Sequence, residues 1–97
     1  MSKEKLLLVG AGGFGRMVAE RAILQYDCAF VDDGQPAGAE ICGIPVVGGL
    51  AKLQELRKDY GLLVVGIGNN QFRAQVYEKA KALGYGFPNI VAPSAYI

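Results

Sequence analysis

An α/β fold, with a parallel sheet of about four to five strands and helices on both faces, is predicted by three features of this 97-residue chain. Short apolar runs alternate with amphipathic stretches of helical period, the rhythm of strands joined by right-handed helical crossovers. The runs Leu6-Leu7-Leu8-Val9 and Leu62-Leu63-Val64-Val65-Gly66-Ile67 are uninterrupted, as in strands covered on both faces. The 14 glycines fall at the ends of such runs, where turns belong, and form no low-complexity tract.

The elements follow in order. Leu6 to Val9 is the first strand, and a glycine turn leads into a helix over Phe14 to Gln25. Val18, Ala19, Ala22 and Ile23 form the inner stripe of that helix, with Arg16, Glu20 and Arg21 outward. Cys28-Ala29-Phe30-Val31 is a second strand, stopped by Asp32-Asp33-Gly34. After a loop over 35–40, Pro45 rules out a fully paired central strand, so Pro45 to Val47 reads as a brief edge strand. Leu50, Leu53, Leu56 and Tyr60 recur at helical spacing, and Gly61 suits the stop. Leu62 to Ile67 is the strongest strand. Gly68-Asn69-Asn70 then turns the chain and caps a helix reaching about Leu83, with Phe72, Val76, Ala80 and Leu83 inside. Phe87 to Val91 is the last strand, which closes a single domain over 1–91 ahead of a short tail, 92–97.

Composition excludes several classes. A net charge of +1 with no clustered basic face argues against a nucleic-acid partner. No stretch approaches the ~18 apolar residues of a membrane span, and Met1 to Lys5 lacks a signal-peptide layout. Cys28 and Cys42 have no metal-ligand spacing and sit among apolar residues, which fits buried free thiols in a reducing cytoplasm. The chain contains no histidine. Imidazole base catalysis and histidine metal sites are therefore excluded from these residues, and no catalytic residue or metal ligand is expected among them.

Three segments bear on ligand binding. Gly10-Ala11-Gly12-Gly13-Phe14-Gly15 joins a strand to a helix, the context in which GxGxxG cradles phosphate. One glycine allows the tight turn, one the approach of a pyrophosphate, and one the close packing of helix on strand. The N–H groups of the helix start then supply an anion site. Asp32 lies at the end of the second strand, where dinucleotide-binding domains place an acid for ribose hydroxyls, and Asp33 follows it. Equally, Asp-Asp-Gly is a natural turn opener. Gly66-Ile67-Gly68-Asn69-Asn70 ends the strand expected beside the first; capping accounts for one Asn but not both. Arg16 and Arg73 sit just inside the helices after the two glycine turns, within reach of a phosphate. On these residues alone, an NAD(H)-binding regulatory or dehydrogenase domain is the alternative reading.

The blocks taken together resemble a known family. Leu7-Leu8-Val9-Gly10-Ala11-Gly12-Gly13-Phe14-Gly15, Phe30-Val31-Asp32-Asp33, Gly43-Ile44-Pro45-Val46-Val47-Gly48-Gly49, Gly66-Ile67-Gly68-Asn69-Asn70 with Arg73, and Phe87 to Ile97 occur in this order. The pattern is similar to the amino-terminal domain of bacterial sugar acetyltransferases of the sialic acid O-acetyltransferase and UDP-N-acetylbacillosamine N-acetyltransferase type, over essentially the full chain. The resemblance implies a Rossmann-like domain that holds a UDP-sugar or related nucleotide sugar rather than NAD. Gly12, Gly13 and Phe14, with Gly10 and Gly15 shaping the turn, would meet the phosphates. Asp32 and Asp33 would lie near the uracil end, and Gly68, Asn69 and Arg73 would close the pocket. In such enzymes a left-handed β-helix of hexapeptide repeats follows, forms the homotrimer, binds acetyl-CoA and supplies the catalytic histidine. Here the family's histidine before Pro-Ser-Ala is replaced by Ala92. Residues 92–97 read as the start of a β-helix that this chain lacks, so the 97 residues alone are expected to be inactive.

Overall fold

A computed structural model describes residues 3–88. Its strands are β1 (Glu4–Val9), β2 (Tyr26–Val31), β3 (Glu40–Ile41), β4 (Ile44–Gly48) and β5 (Leu62–Val65). Its helices are α1 (Gly13–Ala22), α2 (Leu53–Leu56), entered through a 3-10 turn over Leu50–Lys52, and α3 (Asn70–Ala82). The sheet order is β3-β4-β2-β1-β5. β1 pairs in parallel with β2 and β5, β2 pairs in parallel with β4, and the two-residue β3 runs antiparallel to β4.

Apolar residues on both sides of β1 explain its central place. Leu6 and Leu8 pack on one face with Val18, Ala19 and Ala22 of α1 and with Cys28 and Phe30 of β2. Leu7 and Val9 pack on the other with Leu53 of α2, Val76 and Ala80 of α3, and Ala29 and Val31. Every one of these side chains is buried, so the continuous apolar run carries two cores rather than one. Tyr85 locks α2 to the end of the described chain, its hydroxyl donating to the Leu53 carbonyl at 2.6 Å. Among the described residues no helix is long and apolar enough to cross a membrane.

The structure departs from the sequence reading at several points. α1 stops at Ala22 because Ile23, Leu24 and Gln25 close a turn through N–H bonds to Ala19, Arg21 and Ala22, which sends the chain straight into β2. Ile23 is consequently 42% exposed rather than inside. The stretch from Leu50 to Tyr60 is a 3-10 turn, a single turn of α-helix and a hydrogen-bonded turn, although Leu53 is buried and Leu50, Leu56 and Tyr60 pack beside it as the spacing predicts. β4 is not the edge strand. Pro45 is tolerated because the parallel pairing to β2 runs through Val46 and Gly48, while β3 covers the outer side. Cys28 is buried, and burial followed by the charge of Asp27 pushes its thiol up to about 11. Cys42 is exposed instead, in the β3–β4 turn at φ 55. Of the expected last strand, a parallel bridge from Gly86 to Leu62 is described. Residues 89–91 and the tail 92–97 lie outside the described residues.

Candidate functional site

The carboxyl ends of β1, β2 and β5 meet at one edge of the sheet. β1 is the point where the strand order reverses: the chain moves outward to β2 and β4, then returns across β1 to β5. Open α/β sheets form ligand crevices at such a reversal. A cleft of about 160 Å³ lies there, walled by Val9 and Gly10, by Val31, Asp32 and Asp33, and by Leu50, Ile67 and Phe72. A shallower depression of about 350 Å³ at the other edge, around Lys3, Tyr26, Asp27 and Pro45, includes none of the predicted site residues.

The glycines divide into two kinds. Gly10, at φ 99, lies so close to the second turn that a Cβ on it would meet the Gly66 carbonyl oxygen at 2.9 Å. A Cβ on Gly15 would drive into the Gly10 carbonyl, and one on Gly66 would meet the Gly15 Cα at 2.7 Å. Those three positions serve the packing of α1 between β1 and β5. Gly12, Gly13 and Gly68, by contrast, have nothing within 4 Å of a Cβ position and face open space. Gly12 is the N-cap of α1 and provides no side-chain cap, and Gly13, Phe14 and Gly15 form the first turn. The helix start is therefore left to a ligand or water to satisfy.

Asp32 and Asp33 hold the edge together. Asp32 Oδ2 accepts from the Ala11 N–H at 2.7 Å, and Oδ1 accepts from the Gly34 N–H at 2.7 Å. One oxygen of Asp32 thus opens the turn, as the Asp-Asp-Gly pattern suggests, and the other anchors the glycine loop. Asp33 Oδ1 accepts from the Leu50 N–H at 2.8 Å and caps the 3-10 turn from a distance in sequence. Its Oδ2 makes no hydrogen bond among the described residues.

The two asparagines also differ. Asn69 caps α3, its Oδ1 accepting from the Phe72 N–H at 2.9 Å. Asn70 Oδ1 accepts from the Arg73 guanidinium at 2.9 Å, which tethers that cation at the helix start. Arg16 is turned back on its own loop, with Nε donating to the Ala11 carbonyl at 3.1 Å. Leu50 and Phe72 form part of the apolar wall of the cleft, although helical spacing places Phe72 inside. Phe72 is 40% exposed and lines the crevice instead. Its spacing to Val76 and Ala80 suggested core, but a residue in the first turn of α3 lies beyond the end of the sheet that the later turns cover. The arrangement offers the open N–H donors of the α1 start and, in the cleft, carboxylate acceptors beside an apolar wall, which suits a ligand with an anionic part and a planar polar part.

Comparison with known proteins bears on the family and the fold. Residues 5–80 match the family described as the PglD N-terminal domain. No curated protein sequence matches the chain. Among solved structures, the acetyltransferase domain of PglB from Neisseria gonorrhoeae, in complex with acetyl coenzyme A, is 37% identical with a TM-score of 0.81, over 95% of this chain and 45% of that one. A mutant perosamine N-acetyltransferase from Caulobacter crescentus, in complex with CoA and GDP-perosamine, is 32% identical with a TM-score of 0.81, over 93% of this chain and 43% of that one. The chain therefore spans less than half the length of these structures. A Rex-family repressor at 16% identity and a TM-score of 0.61 shares the fold alone.

Proposed function

Since the chain belongs to the PglD N-terminal domain family, we propose that it is the segment of an acetyl-CoA-dependent sugar N- or O-acetyltransferase that holds the nucleotide sugar. The observation carrying this reading is the open helix start at Gly12 and Gly13 beside an acid-lined cleft at the sheet reversal. Backbone N–H groups of Gly12, Gly13 and Phe14 take the diphosphate, helped by the α1 dipole and by Arg73. Gly10 and Gly15 keep the loop low enough for it to approach. Asp32 and Asp33 lie toward the nucleobase end, and Gly68 and Asn69 close the side next to β5.

The chemistry asked of these residues is binding and orientation. Acetyl transfer moves the acyl group from the thioester sulfur to a sugar amine or hydroxyl, and a general base takes the proton of that nucleophile. No histidine is available for this in the chain. In this reading the base, the acetyl-CoA site and the homotrimer contacts belong to a further segment, the enzyme acts in the cytoplasm in glycan biosynthesis, and the 97 residues alone are inactive. The nucleotide is read as UDP. The Caulobacter structure, in complex with GDP-perosamine, favours GDP as a second reading.

Isothermal titration of the chain with UDP, a UDP-amino sugar, GDP, GDP-mannose and NAD tests the proposal. Saturable binding of a uridine or guanosine diphosphate with a flat NAD titration is expected. NAD binding without a response to either nucleotide would make the domain a dinucleotide binder instead.

A further inference from the structure

The edge of the sheet opposite the reversal carries features that the proposed nucleotide cleft does not use. The depression of about 350 Å³ at the amino ends of β1, β2 and β4 has Ile23, Ile44 and Pro45 as its apolar lining. Lys3 and Asp27 supply its charges. Leu24 stands next to it in the turn after α1 and is 68% exposed, the highest of any large apolar side chain among the described residues. A leucine left in water there forgoes the free energy that burial supplies. One patch thus holds an exposed leucine and, beside it, a hollow lined by apolar side chains.

The two charges are both available. Lys3 Nζ donates to the Ile23 carbonyl at 2.9 Å, which leaves two of its three N–H groups free. Asp27 forms no ion pair among the described residues. Its register partner across the sheet is Lys5, but that ammonium lies over the Tyr60 ring, 5.7 Å from its centroid. A knob beside a hole and a cation beside an anion make a self-complementary surface. A two-fold axis brings each feature against its complement on the other copy. A partner of one charge sign, or one with a flat apolar face, would satisfy only half of the patch.

We infer that this face is an isologous contact between two copies of the chain. Leu24 of each copy fills the other's depression, and Lys3 pairs with the partner's Asp27. The contact lies away from the sheet reversal, so it leaves the proposed cleft open and does not depend on the nucleotide-sugar reading. It is also separate from the homotrimer contacts, which that reading assigns to a further segment. With one knob and one exposed ion pair from each copy, the association is weak, at the low end of specific interfaces.

Sedimentation velocity of the 97-residue chain, from dilute to millimolar, tests this. The wild type is expected to pass from monomer to dimer and to stop there, because a two-fold contact closes. Leu24→Asp should stay monomeric throughout with an unchanged circular dichroism spectrum. An exposed ion pair is worth roughly two- to fivefold, and the axis repeats it. Lys3→Glu and Asp27→Lys should therefore each weaken the dimer on the order of tenfold, and the two together in one chain should restore it. Cys42 is exposed in the turn beside the depression while Cys28 is buried, so a nitroxide can be placed on Cys42 alone. Mixed with isotope-labelled Cys42→Ser chain, it should broaden the Leu24 and Asp27 amides of the other copy and spare those of Gly12 and Asn69. A chain that remains monomeric at millimolar concentration overturns the inference. So does a dimer that survives Leu24→Asp, a series of higher species, or broadening centred on Gly12 and Asn69. Failure of the double charge swap to restore what the single reversals remove overturns the Lys3–Asp27 pairing.

Discussion

At the scale of single residues, the glycine turn is a mixture of positions that the motif alone does not separate. Gly15 has no room: its Cβ would occupy the space of the Gly10 carbonyl. Gly13, two residues earlier, is the first residue of α1 with open space at its Cβ. Alanine at the two positions should therefore act in opposite ways. Gly15→Ala must displace either α1 or the loop, at a cost of about 3 kcal/mol or more, at the upper end of overpacking penalties. Gly13→Ala removes backbone freedom from the unfolded chain and should be neutral or stabilising by about 0.5 kcal/mol. It nevertheless places a methyl where the proposed diphosphate comes closest. Urea unfolding and UDP titration of both variants check this. Gly13→Ala should keep its denaturation midpoint and lose at least tenfold in affinity, and a variant that binds UDP normally would show that the ligand does not approach this turn.

At the scale of elements, the tandem Asn69-Asn70 divides stability from electrostatics. Asn69 satisfies the Phe72 N–H at the start of α3, and loss of such a cap costs about 1 kcal/mol. Asn70 is exposed and holds the Arg73 guanidinium, an interaction of small value to folding. Asn69→Ala is expected to lower stability by about that 1 kcal/mol. Asn70→Ala should change it by less than 0.5 kcal/mol yet weaken UDP binding several-fold as Arg73 loses its tether; thermal unfolding and calorimetry separate the two. If Asn70→Ala destabilises as much as Asn69→Ala, the Arg73 contact is structural. The same helix shows what could be read from sequence. The N-cap, the buried Val76 and Ala80 and the stop near Leu83 follow from residue types at 3.6-residue spacing. The orientation of Phe72 does not, because spacing gives the face of a helix but not how far the sheet extends beneath it. Pro45 makes a similar case: its missing N–H was legible, while the two-residue β3 that flanks it carries too few residues for a periodic signal. Asp33 is a third, since its bond to Leu50 joins segments whose proximity only the fold creates.

At the scale of the whole molecule, the sheet reversal makes the proposed site a joint between otherwise separate strand ends. Three backbone bonds cross that edge: Gly10 N–H to the Val31 carbonyl at 2.8 Å, Gly66 N–H to Val9 at 2.8 Å, and Asp32 N–H to Gly48 at 3.0 Å. Each ties the end of one parallel strand to the next, and none lies within a helix. A ligand spanning the α1 start and the acid pair bears on all three, so binding should raise both global stability and local protection. By linkage, a ligand at a hundred times its dissociation constant adds about 2.7 kcal/mol. For a domain of this length that is a rise in melting temperature on the order of 10–20 °C. Under the proposed reading, UDP at saturating concentration should produce such a rise and slow amide exchange at Gly10, Asp32 and Gly66 beyond the general slowing. The amides of Lys5 and Cys28, at the opposite edge, should slow only by the amount that global stabilisation accounts for. Protection concentrated at that opposite edge would place the ligand in the depression around Lys3 and Asp27 and would remove the sheet reversal from the binding mechanism.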